Sequence, residues 1–263
     1  MDLGLDGKVA WVHGASAGLG RASALALARE GAAVAVSARR ADALDDVVRA
    51  VEEGGGRALA VPLDVTDAGA IGSAHERVRD GLGEVDVLVA NAGGPPAGGF
   101  ADFDDDALHA AFELTTASAW RLTNAVLPAM RARRSGCLVY LTSSTTKEVV
   151  PALLLSNMMR AAVVGMMKTL SKELGPDGVR ALCVAPGRVD TDRVRALDDT
   201  VARRTGRTPD DVKTESVGRI PLGRYGEPAE FGDVVAFLAS ERASYVTGVT
   251  VVVDGGMING LLS

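Results

Sequence analysis

Apolar residues along this chain come in two rhythms that alternate from one end to the other. Short apolar runs at residues 8–13, 33–37, 57–63, 85–90, 137–141, 179–185 and 249–253 have the length and β-branched content of buried strands. Between them, at 21–30, 42–53, 67–81, 104–113, 114–133, 151–174 and 231–240, apolar positions recur every three to four residues, as on one face of a helix. Parallel strands need a crossover, and a helix packed on the sheet is the usual one, so this order predicts an α/β fold. The expected architecture is a single-domain doubly wound parallel sheet of about seven strands with helices on both faces. Neither a linker nor an internal repeat divides residues 1–263. The rhythm breaks at residues 188–228, a long charged segment with helical pieces and little core. Segments of this length between sheet elements carry lids or binding loops, or are plain surface excursions.

The run at 151–174, PALLLSNMMRAAVVGMMKTLSKEL, is the longest helix candidate and is almost wholly apolar up to Met167. Ser156, Asn157 and Arg160 interrupt that half, and Ser156 and Arg160, four residues apart, share one face. Arg160 in mid-run, with Lys168 and Lys172 after it, argues against a membrane span. A hydroxyl and a cation together on a largely buried helix are either a surface arginine that follows a serine or a functional pair.

Strand ends carry the remaining chemistry. The first strand runs into Gly14-Ala-Ser-Ala-Gly18-Leu-Gly20 and then a helix. Glycines there let the backbone turn tightly and approach a phosphate, whose charge is met by free N–H groups at the helix start; in this strand-to-helix context the nucleotide loop of a Rossmann fold is favoured over a plain turn. The second strand ends at Arg39-Arg40, where an NAD-binding fold places an acid on the ribose 2′-hydroxyl. Two arginines suit a 2′-phosphate instead, which favours NADP(H) over NAD(H). Asp64, Asn91-Ala92-Gly93, Thr142-Ser143-Ser144 and Pro186-Gly187 end the later strands, where open α/β sheets bind ligands. A serine pair also suits a helix cap.

Composition narrows the field. Hydrophobic residues make up 47% of the chain, enough for a sizeable core, and the net charge of −6 gives no attraction to nucleic acid or to an anionic membrane. Cys137 and Cys183 lie in strand-like runs and read as buried thiols, and His13, His75 and His109 lack metal-ligand spacing. The amino terminus runs into a strand with no charged-then-apolar leader, so a cytoplasmic protein is expected.

The order of these motifs resembles the short-chain dehydrogenase/reductase family over essentially the whole chain, and most of all its 3-oxoacyl carrier-protein reductase type. Gly14-x-x-x-Gly18-x-Gly20, Asp64 in LDVTD, Asn91-Ala92-Gly93, Pro186-Gly187 with Thr191, and Tyr245-Val-Thr-Gly248 through Val253-Asp-Gly-Gly256 all fall in family order. The resemblance implies that Gly14, Ser16, Gly18, Leu19 and Gly20 hold the pyrophosphate. It places Asp64 and Val65 at the adenine, Asn91, Ala92 and Gly93 near the adenosine ribose, and Pro186, Gly187, Val189 and Thr191 at the nicotinamide end. His13 stands where the family has threonine and is read as a brace for the Asn91 turn. The resemblance also implies subunit contacts through the helices at 114–133 and 151–174 and through the last strand, hence a homotetramer or homodimer.

The family transfers hydride between nicotinamide and a carbonyl or alcohol, with a Tyr-x-x-x-Lys pair about 13 residues after a serine. Here 156 − 143 = 13 sets Ser156 opposite Ser143, with Arg160 in the lysine slot and Thr115 in the slot of a water-ordering asparagine. A tyrosine ionises near ~10 and an alkyl hydroxyl closer to water at about 15.7, so Ser156 is the poorer acid by several kcal/mol. Arg160 keeps its proton, though its fork of donors can bind ribose hydroxyls or a phosphate. Lys147 is the nearest alternative donor in sequence, though an exposed loop lysine paired with Glu148 is the favoured reading.

Two functions follow as expectations. The first is an NADP(H)-dependent oxidoreductase with catalytic Ser143, Ser156 and Arg160, acting on a small carbonyl or alcohol, a 3-oxoacyl thioester among the candidates. The second is a nucleotide-binding family member without redox turnover, a sensor or a silent subunit. Arg131, Arg133 and Arg134 offer a dock for an acidic carrier protein or a CoA thioester, although a helix end attracts cations in any case.

Overall fold

A computed structural model describes residues 2–260. Strand β1 (Val9–His13) is buried along its whole length, as a central parallel strand covered on both faces must be. Its side chains alternate between two cores. Ala10 and Val12 join Leu27, Val36 and Phe231 on one face, and Val9 and Trp11 join Leu138, Met130 and Met167 on the other. Each large side chain fully withdrawn from water in this way contributes roughly 1.5–3 kcal/mol before entropy is counted.

The order along the chain is β1, α1 (Gly18–Arg29), β2 (Ala33–Ser37), α2 (Ala41–Glu53), β3 (Ala58–Ala60), α3 (Ala68–Leu82) and β4 (Val87–Ala90). It continues with α4 (Asp105–Phe112), α5 (Ser118–Arg133), β5 (Gly136–Leu141), α6 (Leu154–Glu173), β6 (Val179–Pro186), α7 (Asp192–Thr205), α8 (Pro209–Gly218), α9 (Pro228–Ala239) and β7 (Thr250–Val253). All seven strands pair in parallel in the order β3-β2-β1-β4-β5-β6-β7. The direction of winding reverses between β1 and β4, which opens a crevice at the carboxyl ends of those strands. The predicted fold class is the observed one.

Three local departures from the sequence pattern are informative. Helix α1 starts at Gly18 rather than 21, because the last two glycines of the loop form its first turn. Strand β3 is confined to Ala58–Ala60 within the predicted 57–63, since β3 is the sheet edge and pairs on one side alone. The helices predicted at 104–113 and 114–133 are joined by a single π-helical turn, Glu113–Ala117, in which the Ser118 hydroxyl donates back to the Leu114 carbonyl at 2.6 Å. Such turns insert a residue into a helix and are frequent at functional sites.

Residues 188–228 hold α7 and α8 and are clasped at their base. Arg188 Nη1 meets Asp198 Oδ1 at 2.7 Å, the Tyr225 hydroxyl donates to Asp198 Oδ2 at 2.8 Å, and Val189 bridges Gly226. No described helix is long and apolar enough to cross a membrane.

Candidate active site

A cleft of about 1480 Å³ lies along the carboxyl ends of the strands. Its lining contains every site residue expected from the sequence except Gly20: the loop residues Gly14, Ser16, Gly18 and Leu19, then Arg39, Arg40, Asp64, Val65, Asn91, Ala92 and Gly93, then Ser143, Ser156, Arg160, Pro186, Gly187, Val189 and Thr191. Gly20 has a different task. A Cβ on it would stand 2.3 Å from the Gly14 carbonyl oxygen, so its bare backbone lets α1 close onto the loop.

The loop conforms to a phosphate cradle. Gly14 and Gly18 take positive φ of 59° and 54°, which L side chains rarely adopt, and a Cβ on Gly14 would meet Asn91 Nδ2 at 2.6 Å. Asn91 in turn donates from Nδ2 to the His13 carbonyl at 3.2 Å, tying the turn after β4 to the end of β1. The His13 ring braces the same junction. Its Nδ1 lies 3.2 Å from the Val89 carbonyl, a contact that needs an N–H there, and its Nε2 is buried without a partner. Complete burial pulls this imidazole down to about pKa 3 against the opposing pull of the Val89 carbonyl, so it stays neutral.

At the adenosine end, Asp64 accepts from the Thr66 amide at 3.0 Å and hydroxyl at 2.8 Å, and these bonds hold its carboxyl below the usual range. Arg39 and Arg40 are exposed on the cleft rim at the start of α2. Neither makes an ion pair among the described residues, whereas Arg188 and Arg219 on the same wall are paired to Asp198 and Glu215. The cradle fits a dinucleotide, and Arg40 and Arg39, the latter near enough for its charge to act on Asp64, put two guanidinium groups on the rim beside it.

At the other end, Ser143 caps a short turn after β5, its Oγ accepting from the Thr145 amide at 3.2 Å, which leaves its O–H to donate. Helix α6 aligns Ser156 with Arg160 on its buried stripe of Leu155, Met159, Val163 and Met167. Arg160 is only 8% exposed, and its Nη1 donates to the Leu141 carbonyl at 2.7 Å. Burial, reinforced by the nearby Arg193 charge, pulls this guanidinium down to about 10, so it remains a cation at neutral pH. Beneath it a void of about 20 Å³ is lined by Thr115, Asn91, Ser118, Tyr140 and Arg160. That space is of the size that holds one water. Thr115, carried on the π turn, has a buried hydroxyl without a partner there, while its neighbour Thr116 donates to the Met159 carbonyl of α6 at 3.2 Å.

Sequence reasoning missed Arg193. It sits in the first turn of α7 and reaches back across the cleft, its Nη2 donating to the Pro95 carbonyl at 2.6 Å and lying against Gly94. One signal was available: a cation in the first turn opposes the helix dipole and needs another reason to be there. The arginines at the end of α5 are spent internally. Arg131 pairs with Asp177 at 2.7 Å, Arg133 reaches Glu84 and Asp86, and Arg134 donates to the Pro176 carbonyl at 2.6 Å. They lie where the chain enters β5, at the opposite edge of the sheet from the cleft.

Comparison with known proteins agrees with this fold. The family model described as enoyl-(acyl carrier protein) reductase matches residues 14–258. Oxidoreductase UcpA of Salmonella typhimurium is 35% identical over 257 residues, covering 96% of this chain and 95% of that protein. The 3-oxoacyl-acyl-carrier-protein reductase FabG of Escherichia coli is 35% identical over 258 residues, covering 97% and 99%. Among solved structures, L-sorbose reductase of Gluconobacter frateurii, complexed with NADPH and L-sorbose, superposes with a TM-score of 0.93 at 32% identity, covering 99% of this chain and 100% of the other.

Proposed function

This chain belongs to the short-chain dehydrogenase/reductase family and is an oxidoreductase of carbonyl and alcohol groups, and we propose that it uses NADP(H) in preference to NAD(H) and works through an altered catalytic set of Ser143, Ser156 and Arg160. The observation that supports the cofactor preference is the pair Arg39 and Arg40, which make no ion pair among the described residues and stand on the cleft rim beside a glycine-built cradle. When bound, the dinucleotide supplies or accepts the hydride. The chain's own residues then do the rest. Gly14, Ser16, Gly18 and Leu19 meet the pyrophosphate, Asp64 and Val65 the adenine, and Asn91, Ala92 and Gly93 the adenosine ribose. Pro186, Gly187, Val189 and Thr191 border the nicotinamide, and Arg160 offers donors to its ribose.

Ser143 donates its free O–H to the substrate oxygen and so stabilises the negative charge that develops on it. The proton that oxygen finally takes comes through the serine hydroxyls from solvent, because Arg160 keeps its own. Without a tyrosine the rate falls by a factor of roughly 10²–10⁴, and slow turnover is the expected behaviour. The segment 188–228, clasped at Asp198, acts as a lid over the substrate end. The substrate is a small carbonyl or alcohol compound, with 3-oxoacyl thioesters worth testing although the α5 arginines give no docking surface for a carrier. Solvent-facing Trp120 and Met158 on α5 and α6 suit the subunit contacts of a homotetramer, in the cytoplasm.

Titrating NADPH and NADH separately, then following NADPH absorbance with ketones, oxo acids and 3-oxoacyl thioesters, tests the proposal. Tighter NADPH binding with slow oxidation on at least one substrate is expected. Binding without turnover on any of them would leave a nucleotide-binding protein in its place.

A further inference from the structure

Of the six arginines on the cleft wall, Arg188 and Arg219 are neutralised by Asp198 and Glu215, and four are not: Arg39 and Arg40 at one end, Arg160 and Arg193 at the other. The first pair has its anion in the cofactor's 2′-phosphate. The second pair lies at the substrate end, where the proposed cofactor supplies no such group. The acids on the wall are Asp64, Glu148 and Asp192. Asp64 is at the adenosine end, Asp192 pairs with Arg195 at 3.2 Å, Glu148 is exposed, and none of them makes an ion pair with Arg160 or Arg193.

A buried guanidinium without an acid is costly, and the charge of the exposed Arg193 nearby adds to the cost of burying Arg160. Arg160 is more than nine-tenths buried and spends one N–H on the Leu141 carbonyl, which leaves donors of its fork for other acceptors. Arg193 holds its guanidinium over the cleft through the Pro95 carbonyl, in the space that Gly94 leaves open. Ser156 lines the same cleft, with a short side chain where the family carries a phenol ring. Space and two guanidinium groups without an ion pair, near enough for the Arg193 charge to act on Arg160, occur on one wall of the cleft.

We propose that the substrate is an oxo acid, or the corresponding hydroxy acid, whose carboxylate is held by Arg160 and Arg193 in the space that Ser156 leaves open. The inference rests on the oxidoreductase reading and narrows its substrate to carbonyl compounds that carry an anionic group close to the reacting carbon. Planar guanidinium forks match a carboxylate's two oxygens, and the bond is charge-assisted. Arg160 thereby serves two neighbours, the nicotinamide ribose and the substrate anion.

The test is calorimetric and needs no turnover. The protein loaded with NADP⁺, which cannot reduce a ketone, is titrated with a panel of two- to six-carbon 2-oxo and 3-oxo acids and with the methyl ester of each. At least one acid is expected to bind, with its ester weaker by roughly tenfold or more. Arg193→Gln is expected to weaken the acid by a similar factor while NADP⁺ affinity stays unchanged, and Arg193→Lys, which keeps the charge and loses the fork, to fall between. Arg193 is exposed, and a melting curve checks that each variant is folded. Equal binding of acid and ester, or no binding by any acid, overturns the clamp, as does equal loss of NADP⁺ and acid affinity in Arg193→Gln. Acid binding over ester with no NADPH oxidation on any of the acids would sustain the clamp and sink the turnover reading instead.

Discussion

The two ends of the cleft are held by different kinds of structure. At the adenosine end the work is done by backbone: positive φ at Gly14 and Gly18, the close approach of Gly20 to the Gly14 carbonyl, and strand termini placed by the sheet order. At the catalytic end it is done by side chains carried on helices: Ser156 and Arg160 on α6, Thr115 on the π turn, Arg193 on α7. On the proposed assignment, the backbone end keeps the family pattern and the side-chain end departs from it at Thr115, Ser156 and Arg160, keeping Ser143. A backbone cradle is fixed by the fold and cannot change without it. A side chain on a helix that the core already holds can be exchanged at little cost to the fold, so chemistry is free to diverge there while cofactor binding persists.

Restoring the missing pair is the strongest way to sharpen that contrast. Ser156→Tyr with Arg160→Lys is expected to raise the rate of NADPH oxidation with a simple uncharged ketone by about 10²–10⁴, with NADPH affinity little changed. No gain in rate would mean that the catalytic end differs in more than its acid.

The seam between the two ends offers the next largest effect. His13 is buried neutral, with a pKa depressed to about 3 from an ordinary 6.5. The unfolded chain therefore binds the extra proton below pH 6.5 while the folded chain does not, so the stability present above pH 6.5 is lost as pH falls toward 3. The full loss is on the order of 3–5 kcal/mol. His13→Thr is expected to flatten the urea-unfolding midpoint between pH 6.5 and 4 relative to the parent, and a parallel acid slope would place the titration elsewhere.

A smaller effect probes the adenosine end alone. Arg40→Ala or Arg39→Ala is expected to weaken NADPH by roughly ten- to a hundredfold and to leave NADH nearly untouched, since only the former carries the extra phosphate. Fluorescence titration with both nucleotides reads it. Equal losses would show that the arginines meet something common to the two.

Legibility followed the same division. The strands, the doubly wound class and the glycine loop were readable because each depends on local pattern: apolar runs alternating with helical periodicity, and glycines at a strand end. The π turn at Glu113–Ala117 was not: the sequence placed a boundary between helices at 113 and 114, but that the join is an inserted residue is a matter of hydrogen-bond register. Arg193 was hidden for another reason. Its partner carbonyl at Pro95 and the open space at Gly94 are 98 and 99 residues away in sequence, brought near only by the fold. The charged segment 188–228 read as a surface excursion or a lid, and nothing local revealed that Asp198 is buried between Arg188 and Tyr225.

The measurement that tests the account most directly is a single-turnover comparison of the parent protein with Ser143→Ala, each preloaded with NADPH and mixed with a substrate that the parent reduces. Ser143 is the proposed retained member of the family's catalytic set, and its Oγ accepts from the Thr145 amide at 3.2 Å. The account predicts an unchanged NADPH dissociation constant and a rate lowered by about 10²-fold or more. An undiminished rate in Ser143→Ala would contradict it.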